Sequence, residues 1–297
     1  MLKGDQVVDV TDAVKHIPHM DAQGLIRGVI EQWDSCKPKM EAAAAAGKGV
    51  PVSSVRIRPP IPKPGNIDCM AVNYMEDGTR SEPAPINAFA KSPNCVIGHG
   101  DTMVLPDAPA TIFEGEAEIA LVIGKRASNV PASQAMQYIF GYVNFIDGSA
   151  RGLPPAGNTF YQMKSRETFA PMGPYLVTAD EIADPHKLQI KLWNNGKLMQ
   201  NFNTDDMAHK IPRCIEFVSA IHTLEPGDVL PTGTNHRGLN PFMDGDVVEL
   251  ETEGLGKLKI HIKDDLKRTW ARETRLEREE KGLTNPGPQL TGKYVAK

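Results

Sequence analysis

Three glutamates alternate with small or apolar residues in "IFEGEAEIALVIG", residues 112 to 124. On a strand, alternate side chains share one face, so Glu114, Glu116 and Glu118 form an acidic row that runs on into Ala120 and Val122. Like charges repel, and an ionised group is costly to bury unless it is paired or bound to a cation. A divalent metal meets that need. Same-face residues lie about 7 Å apart along a strand, and long glutamate side chains bend from two such positions onto one ion at about 2.1 Å. Asp147, in "YVNFIDGSAR", offers a third oxygen where an apolar strand reads as ending and Gly148 lets the backbone turn. Ligation by oxygen alone favours Mg²⁺ or Mn²⁺ over zinc or copper. The competing reading is an edge strand with a solvated acidic face, which the uncharged run "IALVIG" directly after the row opposes.

Cations stand close by in sequence. Arg151 follows Asp147 at the spacing of one helical turn, and Lys164 sits in "FYQMKSRETFAPMGPY" ahead of a turn rich in Pro and Gly. Arginine presents a planar fork suited to a carboxylate, and lysine a compact charge suited to an enolate or carbonyl oxygen. Such groups suit an anionic substrate held against a metal, although a single Lys or Arg is more often plain surface charge. The loop "VLPTGTNHRGLNP", Val229 to Pro241, offers hydroxyls and backbone N–H groups, and by itself is only a turn.

The elements that must position these residues fall into three stretches. From Thr11 to Gly49 the spacing is helical: Leu25, Val29 and Trp33 share a face, an alanine run closes at Gly47, and Pro38 is expected to divide the helices. "RPPIPKPG", Arg58 to Gly65, packs four prolines into eight residues and reads as a stiff connector. Residues 1–65 are therefore assigned to a small helical N-terminal unit and 66–270 to a metal-dependent catalytic domain of short, mostly β runs. Residues 271–297 form a charged tail for surface packing or subunit contact. Asn195 and Gly196 between two strand-like runs signal a tight hairpin, and Gly254 with Gly256 repeats the pattern. The expected class is α+β, mainly β.

Composition excludes several partners. The 297 residues are 40% hydrophobic and 24% charged, with a formal charge of -4, so no polycation is present to hold nucleic acid. No apolar run approaches the roughly 18 residues of a membrane span, and the start lacks a leader pattern, so a cytoplasmic protein is expected. Cys36, Cys69, Cys95 and Cys214 are scattered, without C-x-x-C spacing, and read as packing residues in a reducing compartment.

Taken in order, "NY" at Asn73 and Tyr74, "FAKSP" at Phe89 to Pro93, "EAEIALVIGK", "GYVNFIDGSAR", "MKSRETFAPMGPYLVT", "NGKLMQNFNTDDM", "LEPGDVLPTGT" and "DGDVVELETEGLGKL" resemble the fumarylacetoacetate hydrolase family. The likeness runs from about Ile67 to about Ile262. It implies mixed, mostly antiparallel sheets rolled around the site, a homodimer, and Mg²⁺ or Mn²⁺ held by Glu116, Glu118 and Asp147. Arg151, Lys164, Gln200 and Thr234 fall on family positions that surround substrate and metal, and Tyr74 is assigned to substrate binding. Glu114 matches no ligand position and is expected at the rim.

One departure bears on mechanism. In many relatives "NY" is followed by a His and then a Glu on a short lid helix, which activate the water that cleaves a carbon–carbon bond. Here "NYMEDGTRSEPAPINAF" holds no His, and Gly78, Pro83 and Pro85 oppose a lid helix. Glu76, Asp77 and Glu82 are candidate bases, and a carboxylate with its ordinary pKa near 4 needs desolvation to serve at neutral pH. His99 and His236 are further candidates. The resemblance implies a hydrolase acting on a 2-oxo acid or 1,3-dicarbonyl substrate, such as an acylpyruvate, through a metal-stabilised enolate. The alternatives are a decarboxylase or hydratase/isomerase on the same centre, or a homologue that only binds metal and dicarboxylate.

Overall fold

The acidic row lies on the strand Ile112–Ile123, all of whose residues are buried. The computed structural model describes residues 1–155, 157 and 159–295. The strand is second in a five-stranded sheet ordered Val229–Pro231, Ile112–Ile123, Ile139–Arg151, Ala170–Thr178, Val96–Ile97. A second five-stranded sheet runs Lys197–Asn203, Gln189–Asn194, Val247–Thr252, Lys257–Lys263, Thr102–Val104. Each is antiparallel except for one parallel outer strand. Mixed, mainly antiparallel sheets with few helices make this an α+β, mainly β fold.

Two-residue alternation explains how one strand serves two environments. Phe113, Ala117, Ile119 and Leu121 point into a core shared with Ile190, Leu192, Leu250 and Ile260 of the second sheet. The opposite face carries the glutamates, then Ala120 and Val122, which join Ile67, Cys69, Val143 and Phe145 in another apolar cluster. The edge-strand alternative therefore fails, because this strand is covered on both faces and needs partners for every carboxylate.

The neighbouring strand corrects a second expectation. Asp147 does not end it: pairing continues through Gly115↔Gly148 to Ile112↔Arg151, with Glu116 opposite Asp147. Gly148 marks close approach rather than a turn, since a Cβ there would meet Met103 Cε at 2.7 Å and Phe169 Cβ at 2.9 Å. Arg151 is thus four residues along a strand from Asp147, which is also a same-face spacing.

The hairpin at Asn195–Gly196 forms as read, with φ of 51° and 78° at the two turn positions. At the N-terminal end, Ala22–Glu31 and Trp33–Ala46 are helices that bury Val29 and Cys36 against Val14 and Ile17. The break between them falls at Gln32, not Pro38, which lies inside the second helix. Proline there removes one backbone bond, while the alanines that follow have the highest helix propensity. The tail is not detached: Arg275–Glu280 is a short helix, capped by Thr274, that lies against the end of the acidic row. No helix among the described residues is long and apolar enough to cross a membrane.

Candidate metal centre

Cross-strand register brings the acids together. Glu116, Glu118 and Asp147 each present a carboxylate oxygen within 4.8 Å of the others, and all three side chains are buried. Cations meet them from several directions. Lys164, at the end of the short helix Phe160–Lys164, donates to Glu116 Oε1 at 2.7 Å and Asp147 Oδ2 at 2.5 Å. Lys91 donates to Asp147 Oδ1 at 2.5 Å and to the Gly148 carbonyl at 3.1 Å. Arg151 bridges the row, donating to Glu114 Oε2 at 2.7 Å and to Glu116.

Glu114 is not at the rim. Its relative exposure is 1%, and Arg275 adds a second guanidinium contact at 2.6 Å. A carboxylate in the interior is tolerable there because two forks face it.

The environment sorts the acids. Burial opposes ionisation of Glu116, but Lys164 and Arg151 outweigh it and hold its pKa well below the carboxylate range. Burial also opposes the charge on Lys164, and Asp147 with Glu116 nevertheless raises its pKa. Glu118 makes no ion pair among the described residues, and Lys164 opposes its shift only in part. Burial, then the charges of Asp147 and Glu116, push it well above the usual value. The Gly233 N–H donates to its Oε2 at 2.6 Å, while Oε1 is buried with no hydrogen-bond partner among the described residues. An orphaned carboxylate oxygen beside two further carboxylates is what a hard divalent cation satisfies, so the residues present fit Mg²⁺ or Mn²⁺. Lys91, Lys164, Arg151 and Arg275 already balance Glu114, Glu116, Glu118 and Asp147 in number. A bound divalent cation therefore makes the centre a net cation, which favours an anionic ligand.

Backbone support comes from the loop after Val229–Pro231. The backbone ladder on that side runs on to the Thr232 N–H, which donates to the Ile119 carbonyl at 3.1 Å, and side chains then continue it: Gln200 Oε1 accepts from the Ala117 N–H at 3.0 Å, and Thr234 Oγ1 donates to the Ala117 carbonyl at 2.7 Å. Gln200 Nε2 also donates to Thr234 Oγ1 at 2.9 Å. Gln200 thus braces the strand between two ligands, and only Thr234 of this pair lines the cavity. Tyr74 is fully buried with its ring against Phe202 and does not line that cavity. Asn73 fixes the loop instead, donating to the carbonyls of His209 and Thr232 at 3.0 and 2.9 Å.

A cavity of about 50 Å³ opens beside Glu116, with Arg151, Lys164, Thr234, Phe89 and His236 also in its wall. Of the two candidate histidines, His236 is the one on the cavity wall. Its Nδ1 lies 2.6 Å from Glu76 Oε1, and its backbone N–H donates to Glu76 Oε2 at 2.7 Å. Glu76 holds φ of 56° and Asp77 of 55°, the sparsely populated left-handed region, in a turn pinned by Asp206. Asp77 faces solvent, Glu82 is exposed, and His99 caps the Lys259 N–H on the second sheet, so none of the three borders the cavity. No helix forms between Asn73 and Phe89.

Lys91 and Arg275 escaped the sequence reading. A lone lysine directly after the apolar Phe89 and Ala90 in "FAKSP" was the available signal for the first. The second lies in a run of charges where no single arginine stands out.

A buried all-carboxylate triad on two paired strands, on the sheet face turned away from the second sheet, defines a hard-metal site on a β scaffold. Residues 66–263 match the model of the fumarylacetoacetate (FAA) hydrolase C-terminal domain, and the chain belongs to the fumarylacetoacetate hydrolase family. It is 32% identical to a maleylpyruvate hydrolase of Aquipseudomonas alcaligenes over 89% of this chain and 95% of the relative. An oxaloacetate tautomerase of Bacillus subtilis is 35% identical over 71% and 74%. Among solved structures, maleylpyruvate hydrolase from Sphingobium sp. SYK-6, in complex with manganese(II) and pyruvate, superposes with a TM-score of 0.80 at 30% identity, covering 89% and 95% of the two chains.

Proposed function

We propose that this protein is a divalent-metal-dependent hydrolase that cleaves the carbon–carbon bond of an acylpyruvate or a related 1,3-dicarbonyl 2-oxo acid. The observation that carries the reading is the Glu76–His236 pair on the wall of the cavity above Glu116 and Lys164. A Mg²⁺ or Mn²⁺ ion held by Glu116, Glu118 and Asp147 supplies Lewis-acid polarisation and positive charge for the oxygens of the 2-oxo acid.

The chain's own groups do the rest. Glu76 accepts the Nδ1 proton of His236, fixing the tautomer in which Nε2 is the base. Nε2 takes a proton from water as the oxygen bonds to the acyl carbonyl carbon. The bond from that carbon to the neighbouring CH₂ then breaks, leaving its electron pair on the 2-oxo acid half. The imidazolium returns the proton to the CH₂ carbon, giving a carboxylic acid and pyruvate. Lys164 and Arg151 line the cavity as permanent cations that offset the anionic charge of the substrate.

Support comes from the maleylpyruvate hydrolase relatives, which align over most of both chains. The tautomerase relative favours one second reading, in which His236 moves a proton between carbon and oxygen of oxaloacetate without a water attack. The test is to give Mn²⁺-loaded protein a panel of acylpyruvates and oxaloacetate. Falling ultraviolet absorbance with equimolar pyruvate and acid is expected, abolished in His236→Gln and strongly reduced in Glu76→Gln. Fast keto–enol exchange of oxaloacetate with no pyruvate released from any acylpyruvate would replace the hydrolase reading by the tautomerase one. The homodimer that the resemblance implies belongs to the same proposal and is read from the mass in solution.

A further inference from the structure

Arg275 lies beyond residue 263, where the match to the family domain ends, yet its side chain reaches the acidic row. Backbone contacts set its place. Its N–H donates to the Leu239 carbonyl at 3.0 Å and that of Leu276 to the Arg237 carbonyl at 2.8 Å, so the start of the C-terminal helix is tied to the loop that carries His236. Three residues earlier, Arg272 forks onto the buried Asp246, with both contacts at 2.6 Å. The Arg275 guanidinium then meets Glu114, with Nη2 at 2.6 Å from Oε2 and Nε at 3.3 Å from Oε1.

Glu114 is shared. Arg151 donates through Nε to the same Oε2 at 2.7 Å and through Nη2 to Glu116, so one fork spans two carboxylates. A planar guanidinium is best matched by a single carboxylate taken with two parallel bonds. Arg151 stays divided because Glu114, at 1% exposure, is already engaged from the other side by Arg275. Without Arg275 this buried anion keeps one donor, and the cost of leaving it undersatisfied draws the whole Arg151 fork onto Glu114 and away from Glu116. Arg151 and Glu116 line the small cavity, and Glu114 and Arg275 do not. The series Arg275, Glu114, Arg151, Glu116 thus links the C-terminal segment to a carboxylate of the metal-binding triad.

We propose that Arg275 is a positioning residue: by engaging Glu114 it holds Arg151 in the cavity wall beside Glu116, where the Arg151 charge receives the carboxylate of the substrate. The role of Arg151 toward that anion rests on the hydrolase reading. Its placement by Arg275 does not.

The test pairs two titrations with a structure. Arg275→Gln removes one positive charge and lets Arg151 leave Glu116, so calorimetry is expected to show Mn²⁺ binding more tightly. Pyruvate titrated into the Mn²⁺-loaded variant is expected to bind about 10-fold more weakly, the worth of one hydrogen bond to a charged group. In the crystal structure of the variant, Nε and Nη2 of Arg151 both face Glu114. Arg275→Lys keeps a cation on Glu114, and the double variant Glu114→Gln with Arg275→Gln removes the buried anion that pulls on Arg151. Each is expected to restore pyruvate binding to within about 3-fold of the unmodified protein. A fall in both affinities in Arg275→Gln, as a general loosening of the site gives, overturns the proposal, and so does an Arg151 that still donates to Glu116 in the variant. Neither readout needs turnover, so a displaced Arg151 in a protein that hydrolyses no acylpyruvate refutes the hydrolase and leaves the positioning role standing.

Discussion

Replacing Lys91 by Met tests whether the triad is held by buried ion pairing. The side chains of Lys91 and Asp147 are both 0% exposed, and their contact is 2.5 Å. Methionine fills similar volume but leaves Asp147 Oδ1 and the Gly148 carbonyl without their shared donor. Removing one partner of a buried pair costs about 3 to 5 kcal/mol, because the other charge stays behind in a medium that solvates it poorly. Asp147 retains Lys164 on its other oxygen, which places the expected loss at the lower end, about 3 kcal/mol. With an m-value of about 3 kcal/mol/M, the urea midpoint of metal-free protein falls by about 1 M. Fluorescence and circular dichroism should trace coincident transitions, and saturating Mn²⁺ should recover part of the loss, because the metal returns positive charge to Asp147. A midpoint shift under about 0.3 M would refute the reasoning by showing that Lys164 alone satisfies Asp147.

Three further outcomes follow from the same geometry. Glu118 has its pKa raised from an ordinary 4.5, so metal-free stability falls as pH climbs from that value through the raised one, and Mn²⁺ binding near the raised pKa releases about one proton. Glu118→Gln should leave the metal-free fold intact while weakening Mn²⁺ by more than about 10-fold, and calorimetry in buffers of different ionisation enthalpy that finds no proton release contradicts the assignment. At Gly115, between two glutamates, an added Cβ would lie 2.4 Å from Phe242 Cε2 and 2.8 Å from Ile146 Cγ2, so Gly115→Ala should cost about 1 to 3 kcal/mol by overpacking, read as a lower Tm. All four cysteines are free and buried, and burial pushes the Cys214 thiol up to about 12, so a thiol reagent at pH 8 should label none in the native protein and all four in guanidinium; fast native labelling counts against this packing.

Much of the site was legible because its grammar is local. Alternation over Glu114, Glu116 and Glu118 needs only the two-residue period of a strand, and Asn195–Gly196 needs only the left-handed φ of a tight turn. Gly148 misled for the same reason. A glycine that permits a turn and one that permits close packing look identical until Met103 and Phe169 are seen against it. Pro38 is similar, since a helix that begins at Trp33 can absorb it and the sequence does not mark that start.

The sequence by itself determined the kind of chemistry: carboxylates in the right period, cations following them, and enough family stretches in order to predict the metal ligands. Only the tertiary structure decided which charges meet. Arg275 reaches Glu114 across 161 positions, His236 reaches Glu76 across 160, and Lys91 reaches Asp147 across 56. Side-chain periodicity is set by backbone geometry within a few residues. Charge pairing in the interior is set by which strands and loops the core brings together, and by the cost of leaving any buried charge without a partner.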